Sequence, residues 1–247
     1  MRLILGSLLL AVMSTTAASA QVIQSPQKRL SDQWVFSFSG LGGIPVGEFR
    51  ENENGGGGLE LMIGFQPYRR QPLKIRGQVD WLMYGHIDRD VERDYCDILG
   101  CDTYTVYYDS RQHMMFTFQV GPELTPVNGT WRPFVFALAG STVFHSYANV
   151  GDPGVGGSAP SDNLFTSTNF STSYGGGIRK AGGGNRPAAF ELSAHVTRNA
   201  KADYLTERGL TRTASGTWIV RPVRGAANVV MIKLGFWVGP NVPLFER

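Results

Sequence analysis

Apolar and polar residues alternate with a period of two in eight segments of the chain. The clearest segment runs from Leu73 to His86, where the odd positions are apolar and the even positions begin with Lys74, Arg76, Gln78 and Asp80. Successive side chains of a β-strand point to opposite faces of a sheet, so this period predicts strands with one apolar and one polar face.

The other seven segments repeat the pattern with bulky apolar faces. In chain order, these faces contain Trp34, Phe36 and Phe38; Leu59, Leu61, Ile63 and Phe65; Met114, Phe116, Phe118 and Val120; Phe134, Phe136 and Leu138; Phe170, Tyr174 and Ile178; Phe190, Leu192, Ala194 and Val196; and Val230, Ile232, Leu234, Phe236 and Val238. The opposite faces carry charged or small residues. The sequence therefore predicts an all-β fold of eight strands.

The connections between these segments alternate between short and long. Pro, Gly and Asn mark the short ones, at 67–72, 125–131 and 181–186. The long ones fall at 46–57, 87–102, 146–164 and 198–228. Such alternation over an even number of strands is typical of outer-membrane barrels, which have tight periplasmic turns and long outer loops. Both ends of the chain would then lie in the periplasm.

The first twenty residues have the pattern of a cleaved signal peptide. Arg2 precedes a short apolar run, and Ala18-Ser19-Ala20 provides the small residues that a signal peptidase requires. We predict cleavage before Gln21. The predicted organisation is a signal peptide at 1–20, a short periplasmic segment at 21–31, and an outer-membrane barrel with four long outer loops at 32–247.

Composition bears on which face of the strands meets lipid. Charged residues make up 17% of the chain, below the ~25% of ordinary soluble domains. No later segment approaches the ~18 consecutive apolar residues of a transmembrane helix, so a membrane-spanning form must be a closed barrel. A bulky outer face and a narrow interior of charged and small residues favour the membrane barrel. A soluble barrel that binds a ligand, with its apolar face inside, is the alternative.

Two stretches resemble a known group. They are Gly-Ile-Pro-Val-Gly-Glu-Phe at 43–49, after an aromatic first strand, and the closing strand at 229–239. With the signal peptide, they look like the small OmpA/OmpX-type outer-membrane β-barrel superfamily. The resemblance implies an eight-stranded antiparallel up-and-down transmembrane barrel, inserted into the bacterial outer membrane by the barrel-assembly machinery. The chain departs from many such barrels because Phe245 is followed by Glu246 and Arg247 instead of ending on an aromatic residue.

The predicted lumen contains equal numbers of acidic and basic side chains. They are Glu60, Asp80, Glu123 and Glu191 against Lys74, Arg76, Arg179 and Lys233. An eight-stranded barrel is just wide enough for side chains to fill it, and an unpaired buried charge costs several kcal/mol. We therefore predict a salt-bridged plug. A narrow ion path is the alternative.

The histidines do not form a recognisable catalytic site. The alternation places His86, His113 and His195 on the inward face, and His145 at an outer strand end. Adjacent His145 and Ser146 point to opposite faces, so they cannot form a nucleophile–base pair, and no G-x-S-x-G motif is present. The sequence predicts no catalytic residues, no cofactor and no metal site, although a lipid-modifying enzyme is a less favoured alternative.

The second and fourth long connections carry opposite charges. In the second, acidic residues recur at every other position, at Asp88, Asp90, Glu92 and Asp94. This pattern predicts either a divalent-cation site or a solvated extension of the strand. The fourth contains six basic residues: Arg198, Lys201, Arg208, Arg212, Arg221 and Arg224. These bases would meet lipopolysaccharide phosphates, pair with the acidic connection or stay hydrated.

Cys96 and Cys101 are predicted to form a disulfide, because thiols oxidise in the cell envelope. The net charge of +3 is too small and too scattered to indicate nucleic-acid binding. Taken together, the sequence favours a non-enzymatic, monomeric outer-membrane barrel whose surface loops contact lipid, a ligand or another cell. A small pore is the main alternative function.

Overall fold

The computed structural model describes residues 33–68, 71–97, 100–126, 129–151, 162–181, 188–212 and 218–238. The predicted signal peptide at 1–20, the segment at 21–31, and the C-terminal tail lie outside these residues. Eight strands form the barrel: β1 (Trp34–Val46), β2 (Gly56–Phe65), β3 (Leu73–Asp97), β4 (Gly100–Leu124), β5 (Trp131–Gly151), β6 (Asp162–Ala181), β7 (Ala188–Asn199) and β12 (Asn228–Val238). Four short strands lie between β7 and β12: β8 (Ala202–Tyr204), β9 (Leu210–Arg212), β10 (Trp218–Val220) and β11 (Val223–Gly225).

The eight long strands close into one antiparallel barrel. Each pairs with its chain neighbour in the barrel, and β1 also pairs with β12, from Phe36 opposite Val238 to Val46 opposite Asn228. The predicted eight-stranded up-and-down barrel is confirmed. Closure pairs the first strand with the last and so removes the exposed sheet edges that an open sheet would leave. Among the described residues, no helix is long and apolar enough to cross a membrane.

The polar face of the strands lies inside the barrel and the apolar face outside. Along β1, every second side chain from Val35 to Pro45 is buried, while its neighbours are exposed. Leu61, Val79, Leu192 and Leu234 lie on the outside, and Leu234 is 61% exposed. Their chain neighbours Glu60, Asp80, Glu191 and Lys233 are almost completely buried.

Strand β5 departs from the prediction. Phe134, Phe136 and Leu138 were expected on the lipid-facing side, but they are buried inside the barrel, and Val135 is 58% exposed outside. Both faces of β5 are apolar over this stretch, so alternation alone cannot say which one points outward. The aromatic face turns inward because it packs against buried guanidinium groups of β3 and β6, at distances given below.

A β-bulge changes the face of His86. The β3–β4 register shifts between Met83 and Gly85, so the alternation of β3 is interrupted at this point. His86, expected on the inward face, is exposed. That expectation was wrong because it assumed uninterrupted alternation.

The barrel has two unlike ends. Short connections lie at the end that we call the turn end, and long connections lie at the loop end. At the loop end, β3 continues well beyond Met83, the last of its residues to pair with β2. It pairs with β4 as far as Asp97 opposite Gly100. The predicted long loop at 87–102 is therefore mostly a strand hairpin. Together with the extended ends of β5 and β6, this hairpin forms a four-stranded outer wall on one side of the barrel mouth.

On the other side of the mouth, two connections fold back over the lumen. The first contains a short 3₁₀ helix, Gly47–Glu51, and Gly47 has a φ of 63° that favours glycine. The fourth contains β8 to β11, paired as β8–β11 and β9–β10, and a second 3₁₀ helix, Glu207–Gly209. Side chains from both connections pack against those of the barrel strands at the loop end.

Candidate functional site

The turn-end half of the lumen is filled by charged side chains. We call this set the ion-pair layer; it contains Glu60, Lys74, Arg76, Asp80, Glu123, Arg179, Glu191 and Lys233. All eight side chains are almost completely removed from solvent. They come from β2, β3, β4, β6, β7 and β12, so the layer extends around most of the barrel wall.

Arg179 holds two carboxylates at once. Its Nη1 and Nη2 donate to the two oxygens of Glu123 at 2.5 and 2.9 Å, and its Nε donates to Glu191 Oε2 at 2.7 Å. This pairing uses the planar fork of a guanidinium, which a lysine cannot reproduce. Strands β4, β6 and β7 are thereby joined across the lumen.

Arg76 occupies the centre of the layer. Its Nη1 donates to Glu123 Oε2 at 3.0 Å, its Nη2 to Glu60 Oε1 at 3.1 Å, and its Nε to Gln78 Oε1 at 3.1 Å. Its Nη2 also lies 3.8 Å from Glu191 Oε1. A fully buried cation is thus surrounded by three carboxylates, which offset the cost of removing it from water.

The two lysines complete the layer at its edges. The Lys233 ammonium contacts the Glu60 carboxylate and lies 3.7 Å from Asp80 Oδ1. Lys74 Nζ lies 3.9 Å from Glu123 Oε1. The structure therefore brings all eight predicted lumen charges into one connected set of ion pairs.

Aromatic rings of β5 and β12 pack against the cations of this layer. The Arg179 Cζ lies 3.9 Å from the ring centroid of Phe134, and the Arg76 Cζ lies 4.4 Å from that of Phe136. Lys74 Nζ lies 5.5 Å from the Trp237 ring. Cation–π attraction of this kind strengthens when the groups are desolvated, which explains why the aromatic face of β5 turns inward.

One buried base, Arg132, was not predicted from the sequence. It lies on the same inward face of β5 as Phe134, and its Nε donates to Gly129 O at 3.1 Å. Arg132 was missed because the two faces of β5 were assigned the wrong way round; a correct assignment of Phe134 would have placed Arg132 inside as well. The alternating series at 132, 134, 136 and 138 is the sequence pattern that could have identified it.

Hydrogen-bonded polar pairs also line the lumen. Thr117 and Thr142 share a bond of 3.1 Å, Ser173 and Thr197 one of 2.8 Å, and Gln119 donates to Ser171 at 2.9 Å. The first two bonds join neighbouring strands, and the Gln119 bond joins β4 to β6 over Gly140 of the intervening β5. The Oε1 of Gln119, the Oγ of Ser193 and both ring nitrogens of His195 are buried without a hydrogen-bond partner among the described residues.

The histidines take separate positions. His113 Nδ1 and Ser146 Oγ lie 2.8 Å apart inside the barrel, whereas His145 Nδ1 lies 3.1 Å from Thr166 Oγ1. His195 Nε2 lies 3.9 Å from Asp80 Oδ2. Ser146 therefore has a histidine partner, but both are buried, at 1% and 0% exposure, beside a closed apolar cluster.

The loop-end half of the lumen is filled by apolar side chains. We call this set the apolar layer; it contains Leu41, Phe49, Leu82, Tyr84, Met115, Phe144, Ala202, Tyr204, Ala227, Val229 and Met231. Phe49, from the first connection, packs edge-on against Tyr84 and Tyr204, with ring centroids 5.3 and 5.2 Å apart. The connections thus contribute residues to the interior of the barrel.

Hydrogen bonds fix the two connections to each other and to the wall. Asn52 Nδ2 donates to Tyr204 Oη at 3.4 Å, and the backbone N–H of Ala226 donates to Glu48 Oε2 at 3.0 Å. Tyr84 Oη donates to Leu205 O at 3.1 Å. Burial raises the pKa of the Tyr204 phenol above its ordinary value, so the ring stays uncharged within the apolar layer.

The connection residues that pack inside the barrel mouth were not predicted from the sequence. The sequence indicates their inward position only weakly. Phe49 is a single apolar residue among glycines and charged residues, and Tyr204-Leu205 is a short apolar run within a basic segment. Isolated apolar residues in a polar loop are compatible with either solvent exposure or inward docking. Only the fold places them over the lumen.

The remaining sequence predictions concern the outer wall. Cys96 and Cys101 are cross-strand partners in the β3–β4 register, but their side chains lie outside the described residues, as do those of Asp88, Asp90, Glu92 and Asp94. The disulfide and the cation site remain predictions. Where side chains are described, no group of three or more His, Cys, Asp and Glu residues could hold a metal ion.

The sequence matches no protein-family model and no curated protein. Among solved structures, Neisserial surface protein A has 9% sequence identity and a TM-score of 0.45, over 83% of this chain and 96% of that one. Ail, the attachment invasion locus protein of Yersinia pestis, has 12% identity and a TM-score of 0.38, over 84% and 98%. A major outer membrane protein from Thermus thermophilus has 13% identity and a TM-score of 0.41, over 83% and 98%.

Proposed function

We propose that this protein is a non-enzymatic, monomeric barrel of the bacterial outer membrane with a closed lumen. Its mouth and outer wall make surface contacts with lipid, a ligand or another cell. The observation that carries the proposal is the sidedness of the strands. Buried charges fill the interior, and large apolar side chains cover the outside. Soluble monomers rarely expose apolar patches above a few hundred Å², whereas a membrane barrel requires an apolar outer band.

Cation–aromatic pairs near both ends of the apolar band support the same placement. At the turn end, Lys180 Nζ lies 5.2 Å from the ring centroid of Trp131. Towards the loop end, Arg198 Cζ lies 5.4 Å from that of Tyr174. Amphipathic aromatic residues are typical of the two membrane–water interfaces. Exposed Lys201 is also placed to contact lipopolysaccharide phosphates.

The lumen supports a closed barrel over a small pore. The ion-pair layer and the apolar layer follow one another along the axis, and both are buried inside the barrel. A conducting path requires continuous hydrated space through both. An open ion path would be favoured only if the apolar layer moved out of the mouth.

Fractionation of the native host tests the location. The mature chain, starting at Gln21, is expected in the outer-membrane fraction and to require detergent for its release. Recovery from the soluble periplasm would contradict the proposal. N-terminal sequencing of the same sample tests the predicted signal-peptide cleavage.

The outer wall supports a role in surface contact. Beyond Met83, the described part of β3 has no strand partner except β4, so the wall ends in a strand edge on this side. Replacing residues 89–109 by Asn-Gly would join Asp88 to Ser110, which are already register partners. If the wall carries the contacts, host cells with this shortened barrel lose surface attachment but keep normal amounts of folded protein. Unchanged attachment would assign the contacts to the other connections.

A further inference from the structure

A cleft of about 410 Å³ opens at the loop end of the barrel. One side is formed by residues 50–54 of the first connection. The other is formed by residues 206, 208, 209 and 221–223 of the fourth. Its volume is within the range of small-molecule binding sites.

Three arginines line this cleft: Arg50, Arg208 and Arg221. All three are exposed, and none makes an ion pair or a side-chain hydrogen bond with another described residue. In the ion-pair layer, by contrast, every base faces a carboxylate. Guanidinium groups without a carboxylate partner are suited to bind phosphate or another oxyanion through paired N–H donors.

The rest of the lining limits which anion fits. Asn52, Asn54 and Thr206 add neutral donors and acceptors, Glu51 contributes an exposed carboxylate, and Glu53 a buried one. A carboxylate repels a bare polyphosphate, but it accepts hydrogen bonds from hydroxyl groups. A ligand with anionic oxygens at one part and hydroxyl groups at another matches both halves of the lining.

The cleft is held in shape by the contacts that close the barrel mouth. Val223 lines it and packs against the apolar layer beneath. Asn52 is bonded to Tyr204 at 3.4 Å, and the N–H of Arg221 donates to Gly209 O at 2.7 Å. Walls fixed before binding reduce the entropy lost when a ligand is held.

We propose that this cleft binds a phosphorylated sugar that reaches the barrel from the external solution. The inference rests on the proposed function in one respect, because the loop end faces outward only if the barrel sits in the outer membrane as described. The apolar layer closes the lumen below the cleft, so the ligand enters and leaves from the same side. The arginines hold the phosphate, and Glu51 and the amides meet the sugar hydroxyls.

Isothermal titration calorimetry of the full mature protein in lipid nanodiscs tests this assignment. The probe is fructose 1,6-bisphosphate, with fructose as the neutral control, at a salt concentration that suppresses non-specific attraction. The test variant is Arg208→Gln/Arg221→Gln. The matched control is Arg198→Gln/Arg224→Gln, which removes the same charge from two exposed arginines outside the cleft.

The test variant is expected to weaken binding by about tenfold or more, while the control stays within about twofold of the unchanged protein. Equal weakening by both variants would overturn the proposal, since it would indicate general attraction to a basic surface. Absence of binding to the unchanged protein, or equal binding of fructose, would overturn it too. The nanodiscs fix the protein in lipid, so these failures are distinguishable from failure of the outer-membrane location.

Lipopolysaccharide carries the same phosphosugar chemistry. A second titration of the unchanged protein therefore uses nanodiscs that contain purified lipopolysaccharide. Loss of fructose 1,6-bisphosphate binding in these nanodiscs would assign the cleft to a lipid headgroup and overturn the assignment to a solute. Unchanged binding would assign it to a free solute, as we propose.

Discussion

The two halves of the lumen are lined by side chains of opposite character. At the turn end, eight charged side chains from the barrel strands pair with one another. At the loop end, apolar side chains pack together, and Phe49, Ala202, Tyr204 and Ala227 come from the connections instead of the barrel strands. The ion-pair layer therefore forms whenever the barrel closes. The apolar layer forms only when two connections also fold inward.

This difference separates global stability from local opening. Loss of one charge in the turn-end half leaves its buried partners uncompensated, so the whole barrel is destabilised. Loss of a connection residue in the loop-end half removes contacts that the barrel strands do not need for their own pairing. The connections are then free to open while the barrel stays closed.

The largest expected effect is that of Arg179→Leu. This change leaves Glu123 and Glu191 without their main partner, and breaking a buried ion pair from one side costs about 3–5 kcal/mol. The measurement is the free energy of unfolding by guanidinium in lipid vesicles or detergent micelles. The control is Lys180→Leu, because Lys180 is the next residue along β6 and is exposed on the outside. Equal effects of the two substitutions would contradict the ion-pair layer.

A second test compares two outward positions at different depths. Leu192 is 53% exposed on β7 within the apolar band, and Thr168 is exposed on β6 beyond Phe170, towards the loop end. Leu192→Arg is expected to destabilise folding in vesicles by about 2–4 kcal/mol, because the charge must enter hydrocarbon. Thr168→Arg should have little effect. Similar values at both positions would mean that the apolar band does not meet lipid.

The third test concerns the apolar layer. Phe49→Ala removes a side chain of 0% exposure from between Tyr84 and Tyr204. Amide hydrogen exchange in residues 47–55 and 202–212 should become at least about tenfold faster, as expected for local opening. The free energy of global unfolding should change less than it does for Arg179→Leu. Arg50→Ala, at an exposed neighbouring position, is the control. If Phe49→Ala accelerated amide exchange uniformly across the barrel strands, local opening of the loop-end half would not be separate from global unfolding.

These comparisons also show what the sequence could predict. Period-two alternation was sufficient to locate eight strands and to place Glu60, Arg76 and Lys233 in the lumen. It failed at β5, where Ala137 and Phe136 are both apolar, so that the choice of face depends on packing against Arg76. It failed again at His86, because a bulge has no signature in a hydrophobic pattern. The inward docking of Phe49 depends on contacts between distant segments, which the pattern of one segment does not contain.

The smallest expected effect is at the tip of the outer wall. Cys96 and Cys101 lie opposite each other in a hairpin whose register already holds them together. The predicted disulfide would close only a short loop, so its reduction should change the free energy of unfolding by less than the Arg179→Leu substitution does. Thiol labelling of the unfolded, unreduced protein should find no reactive cysteine. Two labelled cysteines would disprove the disulfide.

The central claim is that the two layers together close the lumen of a membrane-inserted barrel, and planar-bilayer conductance tests it most directly. The purified mature protein should show no steady unit conductance, in preparations where protease protection demonstrates that the barrel has inserted. If the ion pairs and the apolar layer close the lumen between them, the recordings should match those of protein-free bilayers. A reproducible unit conductance from the unchanged protein would contradict the claim and identify the barrel as a pore.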